Sequence, residues 1–324
     1  MIWGHDQAVE QFREAWKSRS IHHAWLLAGP KGVGKAHFAR TAATRLFSEA
    51  AGPEFEAPGL ETPADHRVAK LIAAGSHPDL RWLQRLEHPK TGNLARNITV
   101  DQVRALGEFL NLTSALSPWR AVVIDSADEL EKAGANALLK MLEEPPPNTV
   151  FFLVSHAPGR LLPTIRSRCR RLEFRPLDDD AMASILEHEL PETRAEERAR
   201  LIPLAGGSAG RALAIAALDL EPLERSALAI LREGDPDNSK RAGLASKLGR
   251  KTAGESYAAF LDLLPSLVAQ ETRKLDGPGR ERALKAYDKV RELTAVAPRL
   301  SLDPAATIFQ LGGILASVAG QRVS

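Results

Sequence analysis

Trp25-Leu26-Leu27-Ala28-Gly29-Pro30-Lys31-Gly32-Val33-Gly34-Lys35-Ala36-His37-Phe38-Ala39-Arg40 is the stretch that decides the fold. Its first four residues are an apolar run of strand length, and residues 36–40 open a helical stretch. Between them, residues 29–35 fit G-x-x-x-x-G-K in the strand–loop–helix order that this motif requires. Glycines let successive backbone N–H groups turn inward toward phosphate oxygens, and the N-terminus of the following helix adds the positive end of its dipole. Lys35 supplies the formal charge for the β and γ phosphates. A Gly-rich turn ending in Lys by chance would need neither the strand before it nor the helix after it. The position after the lysine calls for a Ser or Thr hydroxyl to ligate Mg2+, and Ala36 stands there. The loop has nucleotide-loop architecture, and whether it still takes ATP stays open.

Outward from this stretch, Arg120-Ala121-Val122-Val123-Ile124-Asp125 reads as a second strand, residues 149–155 as a third and residues 171–174 as a short fourth. Between the second and third, residues 133–144 are helical and stopped by Pro145-Pro146-Pro147. Near-continuous apolar strands separated by helices predict an α/β domain whose parallel sheet is covered on both faces. Residues 51–97, rich in Pro, Gly and acids and poorly periodic, read as an elaborated loop or insertion. After Phe174 the pattern turns helical. It is broken at Pro191, Gly206-Gly207, Gly234-Asp235-Pro236-Asp237, Asp276-Gly277-Pro278-Gly279 and Asp303-Pro304. The expected layout is an α/β domain over residues 1–176, a small helical domain over 177–219 and a second helical domain over 220–324.

A chain of 324 residues accommodates such a layout, with 44% hydrophobic and 26% charged residues that argue for a folded chain. No apolar run approaches the ~18 residues of a membrane span. Met1-Ile2-Trp3-Gly4-His5-Asp6 has neither a basic nor an apolar leader segment, so a cytoplasmic chain without a membrane partner is expected. Cys169 is the single cysteine, which excludes an internal disulfide and a Cys-rich zinc module. The nine histidines are dispersed apart from His22-His23, and no metal is expected. Net charge is only +2, but residues 156–175 hold arginines at 160, 166, 168, 170, 171 and 175 against one acid, Glu173, and so carry a local basic field.

Asp125 ends its strand where folds of this kind hold Mg2+. Ser126, which follows it, cannot act as the base that orients an attacking water. Ser126-x-x-Glu129 instead has the spacing of a capping box, with Asp128 and Glu129 as solvated first-turn acids. The missing hydroxyl and the missing acid together point to weak or absent hydrolysis.

The segments His23-Ala24-Trp25-Leu26-Leu27-Ala28-Gly29-Pro30-Lys31-Gly32-Val33-Gly34-Lys35, Ala135-Asn136-Ala137-Leu138-Leu139-Lys140-Met141-Leu142-Glu143-Glu144-Pro145-Pro146 and Ile165-Arg166-Ser167-Arg168-Cys169 resemble the clamp-loader AAA+ family of bacterial replication. The likeness covers about residues 4–211. It implies a RecA-like AAA+ P-loop domain, a helical lid and a helical collar. Motor subunits of that family keep a Ser or Thr after the loop lysine and an acid after the strand aspartate, and this chain keeps neither. The resemblance therefore implies a rigid partner within an arc of gamma/tau and delta subunits, acting on the sliding clamp indirectly and on primed DNA through the assembled complex.

By matched position the resemblance implies a live or vestigial nucleotide site at Gly29, Pro30, Lys31, Gly32, Val33, Gly34, Lys35, Ala36, Asp125, Ser155 and Arg211. Ser155 reads equally well as a strand-end hydroxyl capping a loop, and Arg211 as a contact between lid and core. Ser167-Arg168-Cys169 matches the triplet whose arginine reaches the ATP of a neighbouring subunit. The competing reading makes Arg168 part of a basic face for DNA phosphates or partner acids. Cys169 is expected to be a small buried packing residue. ATP is the one cofactor implied; zinc is not, because residues 51–97 lack the cysteines of the zinc module that many relatives carry. The rival readings are an active AAA+ motor of the gamma/tau kind and, more weakly, a free-standing DNA-binding protein.

Overall fold

The computed structural model describes residues 1–18, 21–52, 55–87 and 94–319. Residues 53, 54 and 88–93 of the expected insertion and 320–324 of the expected third domain lie outside the described residues. The chain divides into two compact units, Met1–Leu177 and Asp178–Ser324.

In the first unit the chain runs α1 (Asp6–Lys17), β1 (Ala24–Ala28), α2 (Lys35–Ala51), α3 (Arg67–Ala73), β2 (Leu80–Leu83), α4 (Val100–Asn111), β3 (Arg120–Ile124), α5 (Lys132–Glu143), β4 (Thr149–Ser155), α6 (Pro163–Arg166) and β5 (Arg170–Glu173). The five strands form one parallel sheet in the order β2-β3-β4-β1-β5. β1 and β4 are buried along their whole length, which is why their sequences run apolar rather than alternating, with only Thr149 and Ser155 polar at the two ends of β4. Alternate residues still feed different layers. Trp25, Leu27, Val123, Phe152 and Val154 join Phe12 of α1 and Phe38 of α2 in one core, while Leu26, Val122, Ile124, Phe151 and Leu153 join Leu106 of α4 and Leu138 of α5 in the other. Phe12 meets Trp25 and Phe152 with ring centroids 5.1 and 5.6 Å apart. Buried aromatics of this size contribute about 2–3 kcal/mol each from area alone.

The second strand ends at Ile124, one residue short of the expected boundary, and the fourth is shifted to Arg170–Glu173. The larger correction concerns residues 51–97, which hold α3 and β2 rather than only loop. β2 is a four-residue edge strand in which only Leu83 is deeply buried, so its pattern is too short and too polar to announce a strand. A buried guanidinium orders this region. Arg45 of α2 pairs with Glu49 at 2.5 Å, donates to the Glu61 carbonyl at 2.6 Å and lies over the Phe55 ring at 4.6 Å. Among the described residues, no group of three His, Cys, Asp or Glu is placed to hold a metal ion. The buried Asp79 carboxylate accepts the backbone N–H groups of Ala115, Leu116 and Ser117, which fixes the chain entering β3.

The second unit contains eight α-helices among its described residues: α7 (Asp179–Glu189), α8 (Ala195–Ala205), α9 (Ala209–Ala217), α10 (Glu221–Glu233), α11 (Ser239–Leu248), α12 (Gly254–Arg273), α13 (Gly277–Leu300) and α14 (Pro304–Ala316). The two expected helical segments, 177–219 and 220–324, are not separated here: apart from Leu177 they lie in this one unit. Gly206 ends α8 in the left-handed conformation, and Asp303 caps α14 by accepting the Ala306 N–H. No helix among the described residues is long and apolar enough to cross a membrane.

Candidate functional site

Parallel strands bring the P-loop after β1, Asp125 after β3 and Ser155 at the end of β4 to one edge of the sheet, the carboxyl edge. Gly29 is dictated by close approach: a Cβ there would lie 2.0 Å from the Phe174 carbonyl oxygen just past β5. Gly34 sits at φ 104° as the N-cap of α2, a conformation that a side chain would strain. His5 closes over the loop from the amino-terminal side. Its Nε2–H donates to the Val33 carbonyl at 2.7 Å, and its ring packs edge-on to Phe174 at 4.7 Å. Burial holds the His5 pKa below the usual imidazole value.

Lys35 is almost wholly buried. Its ammonium folds back on its own loop, donating to the Gly29 carbonyl at 2.7 Å and to the Pro30 carbonyl. Burial pulls its pKa down to about 8, against the opposing pull of Asp128 and Asp125. The Asp125 carboxyl is pushed up by burial, with Lys35 and Arg40 holding it back. Ser155 is fully buried, and its hydroxyl meets no partner among the described residues. An orphaned hydroxyl at a loop built for phosphate is a feature that a bound anion would satisfy.

The capping-box expectation for Ser126 and Glu129 is overturned. Ser126 lies at φ 68°, and its hydroxyl shares a 3.1 Å hydrogen bond with Nε2 of His156 instead of capping a helix. The true capping box is at Thr99 and Gln102, at the start of α4. Asp128 and Glu129 are half-buried and engaged by partners rather than free in solvent. Asp128 accepts the His156 backbone N–H at 2.8 Å, and Glu129 pairs with Arg85 at 2.7 Å while burial raises its pKa. Burial, with Lys35 next in weight, drives the His156 pKa down to about 4, so the ring is neutral near pH 7. His156 was missed in the sequence because nothing but its place after Ser155 marked it.

The residues fit a phosphate better than they fit a Mg2+–nucleotide. Loop amides, Lys35 and the Ser155 hydroxyl suit an anion, but Ala36 has no oxygen for the metal and Ser126 is engaged with a neutral imidazole.

Arg168 stands at the other end of the sheet. β5 runs parallel to β1 with Arg170 opposite Trp25 and Glu173 opposite Ala28. Arg168 therefore precedes the amino end of β5, whereas the P-loop follows the carboxyl end of β1, at least the strand's roughly 10 Å away. It cannot serve its own loop. Its guanidinium donates to the Thr164 carbonyl at 3.0 Å and pairs with Glu143 at 2.7 Å while staying about one-third exposed. Cys169 is half-buried against the core, and burial pushes its thiol up to about 12, which makes it chemically inert at neutral pH. In the basic stretch, Arg170 lies over the Trp25 ring at 5.1 Å and Arg171 pairs with Glu173 at 2.5 Å.

In the second unit, Ser208 caps α9 by accepting the Arg211 N–H. The Arg211 side chain donates to the Ser266 hydroxyl of α12 at 2.9 Å and to the Ala205 carbonyl at 3.2 Å, so it ties α9 to α8 and α12.

The first unit is thus an α/β module with a P-loop on a five-stranded parallel sheet, and a helical unit follows it in the chain. Residues 4–178 match the family described as DNA polymerase III, delta subunit, and the chain belongs to that family. It is 41% identical over 191 residues to DNA polymerase III subunit delta' of Pseudomonas aeruginosa, covering 57% of this chain and 53% of that protein. It is 34% identical over 206 residues to the subunit of the same name from Escherichia coli, covering 64% and 58%. A DNA polymerase III gamma subunit-related protein from Thermotoga maritima, solved as a crystal structure, covers 96% of this chain and 99% of its own at TM-score 0.48 and 16% identity. In sequence, the chain spans little more than half the length of the curated relatives it matches.

Proposed function

We propose that the chain is a clamp-loader subunit of the delta prime kind that does not itself turn over ATP. In this reading it joins gamma/tau and delta subunits and presents Arg168 to the ATP held by a neighbouring motor subunit. A guanidinium supplied in trans stabilises charge that develops on the γ-phosphate as the bond to the leaving group breaks. Through the assembled complex, the chain couples ATP binding to opening the sliding clamp and placing it on primed DNA. The observation that carries the reading is the position of Arg168: at the amino end of β5, across the sheet from the chain's own P-loop, with its guanidinium partly exposed. Ala36 and the Ser126–His156 pair support the non-hydrolysing half, since neither supplies a metal ligand or a water-orienting acid. Lys35 and Asp125 favour the second reading, an active motor, because both keep the positions of a working site.

Arg168→Ala in the complex reconstituted with its native partners separates these readings. The variant should fold and assemble. DNA- and clamp-stimulated ATP turnover should fall, by less than the ~10³ that a single trans arginine can be worth, because other subunits keep their own arginines. Arg168→Lys should rescue poorly, since an ammonium lacks the planar two-pronged contact. Wild-type chain alone should show no turnover above background. Robust turnover by the isolated chain, lost in Lys35→Ala, supports the motor instead. Unchanged turnover in the Arg168→Ala complex with weakened DNA binding reassigns the residue to phosphate contact.

A further inference from the structure

Glu143 is the last residue of α5, and Glu144 follows it before Pro145-Pro146-Pro147 stops the chain. Two acids at a helix C-terminus sit against the negative end of the helix dipole, where Lys or Arg is the favoured residue. Helix stability does not account for them. What Glu143 touches is Arg168, at 2.7 Å, across from a second anchor at the Thr164 carbonyl in α6. The three prolines after α5 and Pro163 at the start of α6 fix the backbone on both sides of the guanidinium. A free arginine side chain samples many rotamers, so a finger that must meet a phosphate in one geometry gains from being held beforehand.

We propose that Glu143 is the positioning residue for Arg168. Each terminal nitrogen of the guanidinium is held by one acceptor, Nη1 by the Thr164 carbonyl and Nη2 by the Glu143 carboxylate, and the remaining N–H groups are left to face an anionic oxygen outside the chain. The guanidinium has five donors in a fixed planar fork, so holding both terminal nitrogens also sets the plane and direction of the N–H groups that remain. The role of Glu143 is orientation, and it does not touch the phosphate. This inference rests on Arg168 acting in trans on the γ-phosphate of a nucleotide in the adjoining subunit.

The test is a double-mutant cycle in the reconstituted complex, read as DNA- and clamp-stimulated ATP turnover at saturating and limiting ATP. Glu143→Ala should lower kcat by about fivefold with KM for ATP unchanged, while Glu143→Gln, whose amide oxygen still accepts, should keep more than about half the rate. In the Arg168→Ala background, Glu143→Ala should cause no further loss. Thermal melting and size-exclusion profiles of the Glu143 variants should match wild type, since the side chain lies at the surface and is about two-fifths exposed. If Arg168→Ala lowers turnover but Glu143→Ala leaves it unchanged, or lowers it equally with and without Arg168, the positioning role is wrong while the finger stands. Loss of assembly in Glu143→Ala makes the residue an interface group and overturns the proposal too. Unchanged turnover in Arg168→Ala overturns the finger itself and takes this inference with it.

Discussion

In Met1–Leu177, burial drives ionisable groups toward their neutral forms, whereas in Asp178–Ser324 partners hold them charged. The imidazoles of His5, His23, His77 and His156 are all depressed, the Asp125 and Glu129 carboxyls are raised, and Lys35 is pulled down to about 8; in each case burial is the leading cause. In the second unit the Glu221, Glu233 and Glu271 carboxyls are lowered by Arg200, Lys240 and Arg232, and among the described residues only Tyr257 is shifted chiefly by burial. A parallel sheet covered on both faces places the carboxyl ends of its strands in a dry crevice, and polar groups there are desolvated by the fold itself. A helical assembly exposes one face of each helix, and its charges meet as ion pairs at the seams.

Acid should separate the two units most strongly. A histidine whose folded pKa lies below the unfolded value leaves the unfolded chain binding more protons, so its contribution falls as pH drops from about 6.5 toward about 4 for His156. The four depressed histidines act in the same sense. The raised carboxyls of Asp125 and Glu129 act in the opposite sense, but there are only two of them. All five tryptophans, at 3, 16, 25, 82 and 119, lie in the first unit, and both tyrosines, at 257 and 287, lie in the second. Tryptophan emission should therefore report loosening of the first unit between about pH 6.5 and 4 while helical far-UV dichroism largely persists. Coincident loss of both signals in that window would erase the contrast.

A smaller effect, about 3 kcal/mol, is expected from Gly29→Ala. The new Cβ would meet the Phe174 carbonyl at 2.0 Å, and that oxygen belongs to a backbone that also donates its N–H to Ala28. The loop or the end of β5 must move. Denaturant unfolding followed by tryptophan emission should show the loss, and the helical signal of the second unit should keep its midpoint. An unaltered tryptophan transition would mean that the P-loop is not clamped by β5.

Much of this division is legible in the residues. The buried strands at 24–28, 120–124 and 149–155 announce themselves because both faces are covered and their central positions are all apolar. The glycine-rich loop announces itself because backbone geometry, not side-chain chemistry, specifies it. β2 escapes notice because an edge strand of Leu80-Arg81-Trp82-Leu83 lacks a buried pattern. Ser126 is misread because a capping box is a local rule, and the tertiary partner His156, thirty residues away, outbids the local one. Glu143 and His5 are silent for the same reason: their meaning lies in Arg168 and Val33, which only the fold brings to them.

The smallest predicted effect tests the second unit alone. Glu271 of α12 is nearly buried and takes Arg232 of α10 through both carboxylate oxygens at 2.8 and 2.7 Å, with Lys274 on the same carboxylate at 2.7 Å. The Arg232 contact, ahead of the opposing cost of burial, holds its pKa at about 2. A carboxyl depressed in this way contributes stability that is fully present above the unfolded value near 4.5 and is lost as pH falls toward 2. Both cations are more than half exposed, so solvent screening reduces the contribution to about 2 kcal/mol. Glu271→Gln should cost about that much at pH 7, read from the helical unfolding transition, and should leave the tryptophan transition in place. At pH 2.5 the variant and the wild type should differ by well under 1 kcal/mol, because the native carboxyl is by then partly protonated. A cost that stays constant from pH 7 to 2.5 would mean that Glu271 works through shape rather than charge, and would remove the strongest ion pair from the contrast between the two units.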